Sequence, residues 1–230
     1  MAEADWTVAD DVLDANAVRR GATGGITPPN GDDEFVFAFN STGVATGASA
    51  LFYSGDEDFA PYQYGASITA AIQKGASGGT TGYTPLLFAN LQGESVTDTA
   101  YFVAVSNNEP HKIVLCKGSL ATGPATGAIL RESTENFTIG TWLHLRLDVV
   151  ENGNGDVALT VRRSNLAVDP VEDPTWAAIP GMATFIDDST GINSGSVPLT
   201  GGRAGYGMWT SQTARRAYIS HVTLVRQSGL

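Results

Sequence analysis

A single cysteine among 230 residues, Cys116, leaves no partner for an intrachain disulfide and no thiolate cluster for zinc. Its setting, Ile113-Val114-Leu115-Cys116, reads as a strand in which a thiol fills apolar space and stays inert. Lysine is almost as scarce: Lys74, Lys112 and Lys117 are the full set. Acidic residues outnumber basic ones 24 to 13, a net charge of −11, so the clustered cations that grip phosphate are missing. The pairs Arg19-Arg20, Arg162-Arg163 and Arg215-Arg216 do not repair this. Alternation along a strand sends the members of each pair to opposite faces. Nucleic acid is therefore not an expected partner. Long apolar runs are absent as well. Stretches such as Val103-Ala104-Val105 and Leu86-Leu87-Phe88-Ala89 fall far short of the ~20 residues of a bilayer-spanning helix. The chain opens on Met1-Ala2-Glu3-Ala4-Asp5-Trp6, acidic where a secretory leader is basic and then apolar. The expectation is a chain with no signal peptide and no membrane partner, which acts where it is made or leaves the cell by assembly or lysis.

What is present is apolar enough to close a core, with 42% hydrophobic and 9% aromatic residues, which argues against disorder. The apolar residues arrive in short alternating runs. Glu34 to Asn40 places Phe35, Phe37 and Phe39 on one face. Ala50 to Ser54 and Leu86 to Leu91 are further short strands, and Ala66 to Gln73 fits either a strand or one helical turn. Tyr101 to Val105 and Lys112 to Lys117 flank the turn formers Ser106 to His111, which predicts a hairpin.

The clearest unit runs from Gly140 to Arg163. Leu143, Leu145, Leu147 and Val149 share one face, and Trp142, His144, Arg146 and Asp148 share the other. Glu151-Asn152-Gly153-Asn154-Gly155-Asp156 supplies two Asn-Gly steps for a tight turn. Val157, Leu159 and Val161 then alternate with Ala158, Thr160 and Arg162, so one face is core and the other polar. Gly205 to Thr210 and Ala217 to Arg226 repeat the pattern. Val168 to Leu199 is rich in Pro, Asp and Gly and is expected to loop over an edge. The best helix candidate, Val8 to Val18, has only a thin apolar stripe. Ten or more short strands with almost no helix predict an all-β antiparallel sandwich or jelly roll. Residues 1–30 read as an N-terminal arm or first strand, and 31–230 as a single sandwich domain.

The block Gly140 to Val149, its Gly/Asn hairpin, Trp176, Gly205-Tyr206-Gly207 and the final Ala217 to Val225 strand together resemble the concanavalin A-like, or laminin-G-like, sandwich. That resemblance implies a closing strand paired with one near the N-terminus, here Asn16 to Ala22. The chain also resembles structural proteins of tailed bacteriophages in style, through Arg20 to Gly31, Phe35 to Ser41 and Ile186-Asp187-Asp188.

The sandwich resemblance implies glycan chemistry, which the acids test. Laminarinase-like hydrolases carry Glu-x-Asp-x-x-Glu on one strand, because two carboxylates must flank the scissile bond at about 5 Å. The one Glu-x-Asp here is Glu3-Ala4-Asp5, followed by Val8. Glu132 with Glu135 and Glu172 with Asp173 lack the spacing or the strand, so no catalytic residue is expected. Gly75-Ala76-Ser77-Gly78-Gly79 matches a nucleophile elbow but leads into Thr80-Thr81-Gly82 rather than a helix. Gly202 to Gly207 departs from the dinucleotide pattern, and no cofactor is expected. His111, His144 and His221 show no metal-binding spacing, though the latter two lie on strands that could meet. Asp56 and Asp58 are the calcium candidates, with Asp148, Asn152, Asn154 and Asp156 a second set. Turn formation accounts for all of these without a metal. Tyr62, Tyr64, Tyr83 and Trp209 are the candidates for stacking on a glycan or lining an interface. For Trp142 and Trp176, core filling is the competing account.

The expected function is thus a non-enzymatic structural protein of a bacteriophage particle, as capsid decoration or tail component. It would be located in the virion and partnered by other virion proteins and by itself as a homo-oligomer, with glycan adhesion as an added role. The alternatives are a carbohydrate-binding, lectin-like module and a glycoside hydrolase.

Overall fold

The computed structural model describes residues 6–9, 18–20, 37–40, 46–53, 65–75, 82–106, 109–164, 175–188, 197–212 and 215–226. Their regular structure is strand throughout, save one 3-10 turn at Thr126–Ala128. In chain order the strands are β1 (Trp6–Ala9), β2 (Val18–Arg20), β3 (Phe37–Asn40), β4 (Gly47–Tyr53), β5 (Ala66–Lys74), β6 (Tyr83–Leu91), β7 (Thr99–Val105) and β8 (Ile113–Ser119). Then follow β9 (Ile129–Glu132), β10 (Trp142–Glu151), β11 (Val157–Ser164), β12 (Trp176–Ala178), β13 (Phe185–Asp187), β14 (Arg203–Thr210) and β15 (Arg216–Arg226).

These strands form two antiparallel sheets. One runs β1-β4-β14-β6-β7-β8-β9, the other β12-β11-β10-β5-β15-β3-β2, with β13 also pairing β11. The β10–β11 hairpin forms with the expected faces, in register from His144 opposite Ser164 to Glu151 opposite Val157. Its turn is closed by the Asn152 N–H donating to the Asp156 carbonyl at 2.8 Å. Period-two burial on β11 (Val157, Leu159 and Val161 inside) shows why alternation was readable there. Ala66 to Gln73 is a strand, β5, and not a helical turn.

Three other expectations change. The strand near the N-terminus, β2, pairs with β3 and not with the closing strand. β3 occupies that place, with Phe39 opposite Ala217. The thin helix candidate has Val8 in β1 and Val18 in β2, because both segments pair with neighbouring strands rather than with themselves. The Pro-rich Val168 to Leu199 stretch does cover an edge, but it does so with two short strands, β12 and β13, both laid on β11.

The main core lies between the sheets. Ile68, Ile72, Leu145, Leu147, Val149 and Leu159 from one sheet meet Leu51, Leu87, Tyr101, Val103, Leu115 and Tyr206 from the other. The seven-stranded sheet is also buried on its outer face. There Ala48, Ala50, Leu86, Phe88, Phe102, Ala104, Val114, Cys116 and Trp209 form a second apolar cluster. A sheet covered on both faces loses alternation, and all nine residues of β6 are buried. Burial pushes the Cys116 thiol well above its ordinary range, which suits the inert role expected of it.

One end of the sandwich is pinned by buried polar groups. Lys117 on β8 donates to Asp187 Oδ2 at 2.6 Å, and Tyr101 on β7 donates to the same oxygen at 2.5 Å. Both side chains of the ion pair are almost wholly buried, at 3% and 0% exposure. The cluster grips a neighbouring segment. Lys117 donates to the Val197 carbonyl, the Leu199 N–H donates to the Tyr101 oxygen, and Asn90 donates to the Leu199 carbonyl at 2.7 Å. Two steps on, the Gly201 N–H donates to Glu151 Oε1. Burial, and then the hydrogen bond to Asp187, raise the Tyr101 phenol above its ordinary pKa, so it remains a donor.

Candidate functional site

The outer face of the eight-stranded sheet is polar, and strand register arranges its side chains in rows. Arg146 on β10 lies opposite Arg162 on β11 and Thr69 on β5, and Thr69 lies opposite Thr223 on β15. The next row sets His144 beside Ser164 and Ala71, with Ser164 opposite Trp176 on edge strand β12. On the other side, Asp148 lies between Thr160 and Ser67. Five strands thus deliver their outward residues to one patch, since neighbours across a sheet on one face sit close enough to touch.

The patch is cross-linked. Arg146 Nε donates to Asp148 Oδ1 at 2.6 Å, and its terminal nitrogen donates to Ser67 Oγ at 3.3 Å. Ser67 also donates to Asp148 Oδ1. Arg162 pairs with the other carboxylate oxygen at 3.8 Å. One buried carboxylate therefore orients the Arg146 guanidinium, whose remaining N–H groups are held as donors, and draws Arg162 alongside by charge. Trp176 is half-buried. His144 meets its ring at 4.8 Å between centroids, inclined at 57°, and the Arg146 guanidinium stands 6.0 Å from it. The site is thus an aromatic ring beside a planar array of donors, a carboxylate acceptor and hydroxyls.

His144 is 3% exposed, and neither ring nitrogen has a hydrogen-bond partner. Burial, and secondarily the charge of His221, hold it down to about 4. A bulge between Ser220 and Thr223, with His221 at φ +52°, brings the second histidine near. Among the described residues no group of histidines, cysteines and carboxylates is placed to hold a metal ion. A consequence follows for acid stability. Because the folded pKa of His144 lies below the unfolded value, its contribution is complete above about pH 6.5 and is lost as pH falls toward 4. Chemical denaturation from pH 7.5 down to 4 is expected to show wild-type stability falling by up to about 3 kcal/mol from this group, with His144→Gln lacking that part of the slope. Equal pH slopes in the two proteins would count against it.

No family model and no curated protein matches the sequence. Solved structures do match in shape. The VIP36 exoplasmic/lumenal domain in its Ca2+/Man3GlcNAc-bound form aligns with a TM-score of 0.54 at 8% identity, over 98% of this chain and 85% of that one. The potassium-bound Emp46p carbohydrate recognition domain gives 0.51 at 11%, over 99% and 90%. A Bacillus subtilis protein of unknown function with a galectin-like fold gives 0.50 at 9%, over 99% and 91%. The fold is a concanavalin A-like, galectin-like sandwich. At these identities the likeness carries the fold and says nothing of ligand.

Within this sandwich several residues singled out from sequence lie away from the polar patch. Tyr83 is wholly buried on the inward face of β6, and its hydroxyl donates to the Gly75 carbonyl. Burial raises it to about 12. Trp209 is only 7% exposed; its indole N–H donates to the Ala121 carbonyl at 3.0 Å. Gly123, at φ +66°, lies so close to the indole that a Cβ there would sit 2.5 Å from the ring. Neither residue presents an open ring, because sheet packing and a covering turn occupy both. Tyr62, Tyr64, Asp56, Asp58, Glu172 and Asp173 lie outside the described residues. Asp148 does not join Asn152, Asn154 and Asp156: it belongs to the sheet face, while Asn154 and Asp156 bond to each other across the turn. Glu132 pairs with Lys112, and Glu135 with Arg163. Trp176, for which core filling competes with stacking in the sequence reading, is half-buried and stands in the patch. Its place opposite Ser164 is set by an edge pairing that spacing alone does not reveal.

Proposed function

We propose that this chain is a carbohydrate-binding module whose site is the patch formed by Trp176, Arg146, Arg162, Asp148 and Ser67. One observation carries the reading: a half-exposed indole stands beside a guanidinium whose orientation is locked by a buried carboxylate. Sugars pair an apolar C–H face with clustered hydroxyls. An aromatic ring matches the first, and the exposed N–H groups of the guanidiniums match the second. The polar groups are also held before any ligand arrives, which lowers the ordering cost of binding. The fold supports the reading, since Emp46p's matched part is a carbohydrate recognition domain and VIP36's was solved with Man3GlcNAc.

A hydrolase is the weaker reading, because Glu132 and Glu135 are each engaged by a cation. None of the structures named above is described as a virion protein, so a role in a phage particle rests on sequence style alone. The test is a glycan array probed with labelled protein and followed by titration of the best ligands. Saturable binding to one class of glycan is expected. A blank array, backed by calorimetry showing no heat with soluble oligosaccharides, would overturn the proposal.

A further inference from the structure

The end of the sandwich opposite the Lys117–Asp187 cluster holds an amine that the proposed glycan site does not use. Lys74, the last residue of β5, points between the sheets and is 3% exposed. Its Nζ donates to the Ser106 carbonyl at 3.2 Å, lies 3.4 Å from His111 Nδ1, and sits 5.0 Å from the centre of the Tyr83 ring. The segment from Phe137 to Thr141 crosses this end. It is tied down by the Gly140 N–H donating to the Lys74 carbonyl and the Phe137 N–H donating to that of His111. Between segment and sheets lies a crevice of about 40 Å3, walled mainly by Ile72, Val105, Phe137, Ile139, Trp142 and Leu143 with the hydroxyl-bearing Thr138 and Thr141, and with Lys74 its one ionisable lining residue.

Among the described residues, Arg215, Glu109 and His111 are charged or titratable groups around the amine, with the phenol of Tyr83 beneath it. Burial, and then the Arg215 charge, bring Lys74 down to about 8, while Glu109 works in the opposite direction. Burial and the Lys74 charge also lower His111, so its ring is neutral at that pH. A large fraction of Lys74 is therefore an unprotonated amine where an ordinary lysine, with a pKa of about 10.4, is almost entirely ammonium. An uncharged amine in an apolar crevice is a nucleophile. The space admits a reagent the size of a few atoms, and the apolar walls favour an uncharged one.

We propose that Lys74 takes up carbon dioxide reversibly as a carbamate. The Nζ lone pair forms the N–C bond while one C=O π pair moves onto oxygen. A proton leaves Nζ and passes to solvent. The products are one carbamate anion and one proton, and no oxidant or reductant takes part. The anion gains the nearby Arg215 charge, with Glu109 the opposing carboxylate.

The chain supplies its own controls. Lys112 is partly exposed and paired with Glu132, and Lys117 is buried against Asp187. Protein equilibrated with carbon dioxide and bicarbonate near pH 8 is treated with a trialkyloxonium reagent, which turns carbamates into stable esters, and its peptides are read by mass spectrometry. The adduct on the Lys74 peptide is expected to exceed that on the Lys112 peptide by about tenfold or more, since far more of Lys74 is neutral. It should vanish when carbon dioxide is purged and fall sharply near pH 6. No adduct at Lys74, or equal labelling of Lys74 and Lys112, overturns the proposal. The readout uses the unaltered protein, so it does not depend on a variant folding, and it is independent of any glycan result.

Discussion

Asp187→Ala is expected to lower the stability of the fold by about 3–5 kcal/mol, because it strands a buried ammonium. Lys117 lies at 3% exposure with Asp187 as its carboxylate partner, and Tyr101 loses its acceptor in the same step. For a domain of this size that loss corresponds to a drop in Tm of roughly 6–20 °C. The penalty comes from leaving one partner behind and not from the intrinsic strength of the pair. The double variant Lys117→Met/Asp187→Leu should therefore recover most of it. Urea denaturation of the wild type, the single variant and the double variant measures both values. A loss below about 1 kcal/mol in Asp187→Ala would mean that water reaches the cluster and that the ion pair is a surface one. The single variant should also loosen the segment from Val197 to Gly201, since Lys117, Tyr101 and Glu151 hold it. Faster amide exchange at Leu199 is the local signature.

Trp176→Ala is expected to weaken glycan binding by about thirtyfold, the roughly 2 kcal/mol typical of an aromatic hot spot. The ring sits on the edge strand β12 and is only half-buried, so its removal should leave the core intact. Arg146→Lys is the sharper companion. It keeps the positive charge beside Asp148 but removes the rigid fork that bonds both Asp148 and Ser67. A loss of about tenfold is expected there, with the melting curve nearly unchanged. Titration of the glycan identified on the array, alongside thermal melts, separates binding from stability. Wild-type affinity in both variants would remove this patch as the site, even if the chain binds sugar elsewhere.

The parts of the fold legible in the sequence are those whose information is local. The β10–β11 hairpin announces itself because one face of each strand is core and the other polar, and because Asn-Gly steps close the turn. The seven-stranded sheet is harder to read, since apolar residues cover both its faces and alternation carries no signal. That is also why Tyr83 and Trp209 passed for surface aromatics. Tyr83 lies in a segment rich in glycine and proline and Trp209 at the end of a strand, yet the opposite sheet covers the first and a second apolar layer the other. The site divides in the same way. His144, Arg146 and Asp148 are visible as the polar face of one strand. Their partners Ser67, Arg162 and Trp176 come from three other strands, and only pairing order sets them side by side. Lys74 looks like any strand-end lysine until the segment from Phe137 to Thr141 is laid over it.

The positions of β14 and β15 bear on how this chain assembles. β14 lies between β4 and β6, and β15 between β3 and β5. The four strands before Ala66 pair otherwise only among themselves, as β1 with β4 and β2 with β3. Residues 203–226 therefore act as the keystone of both sheets at once. During synthesis the amino-terminal strands have no lasting berth until these residues leave the ribosome, so folding is deferred and then closes over long sequence separations. A nascent chain that stalls before Arg203 leaves β5 and β6 with unpaired edges where the finished protein has an interior strand in each sheet.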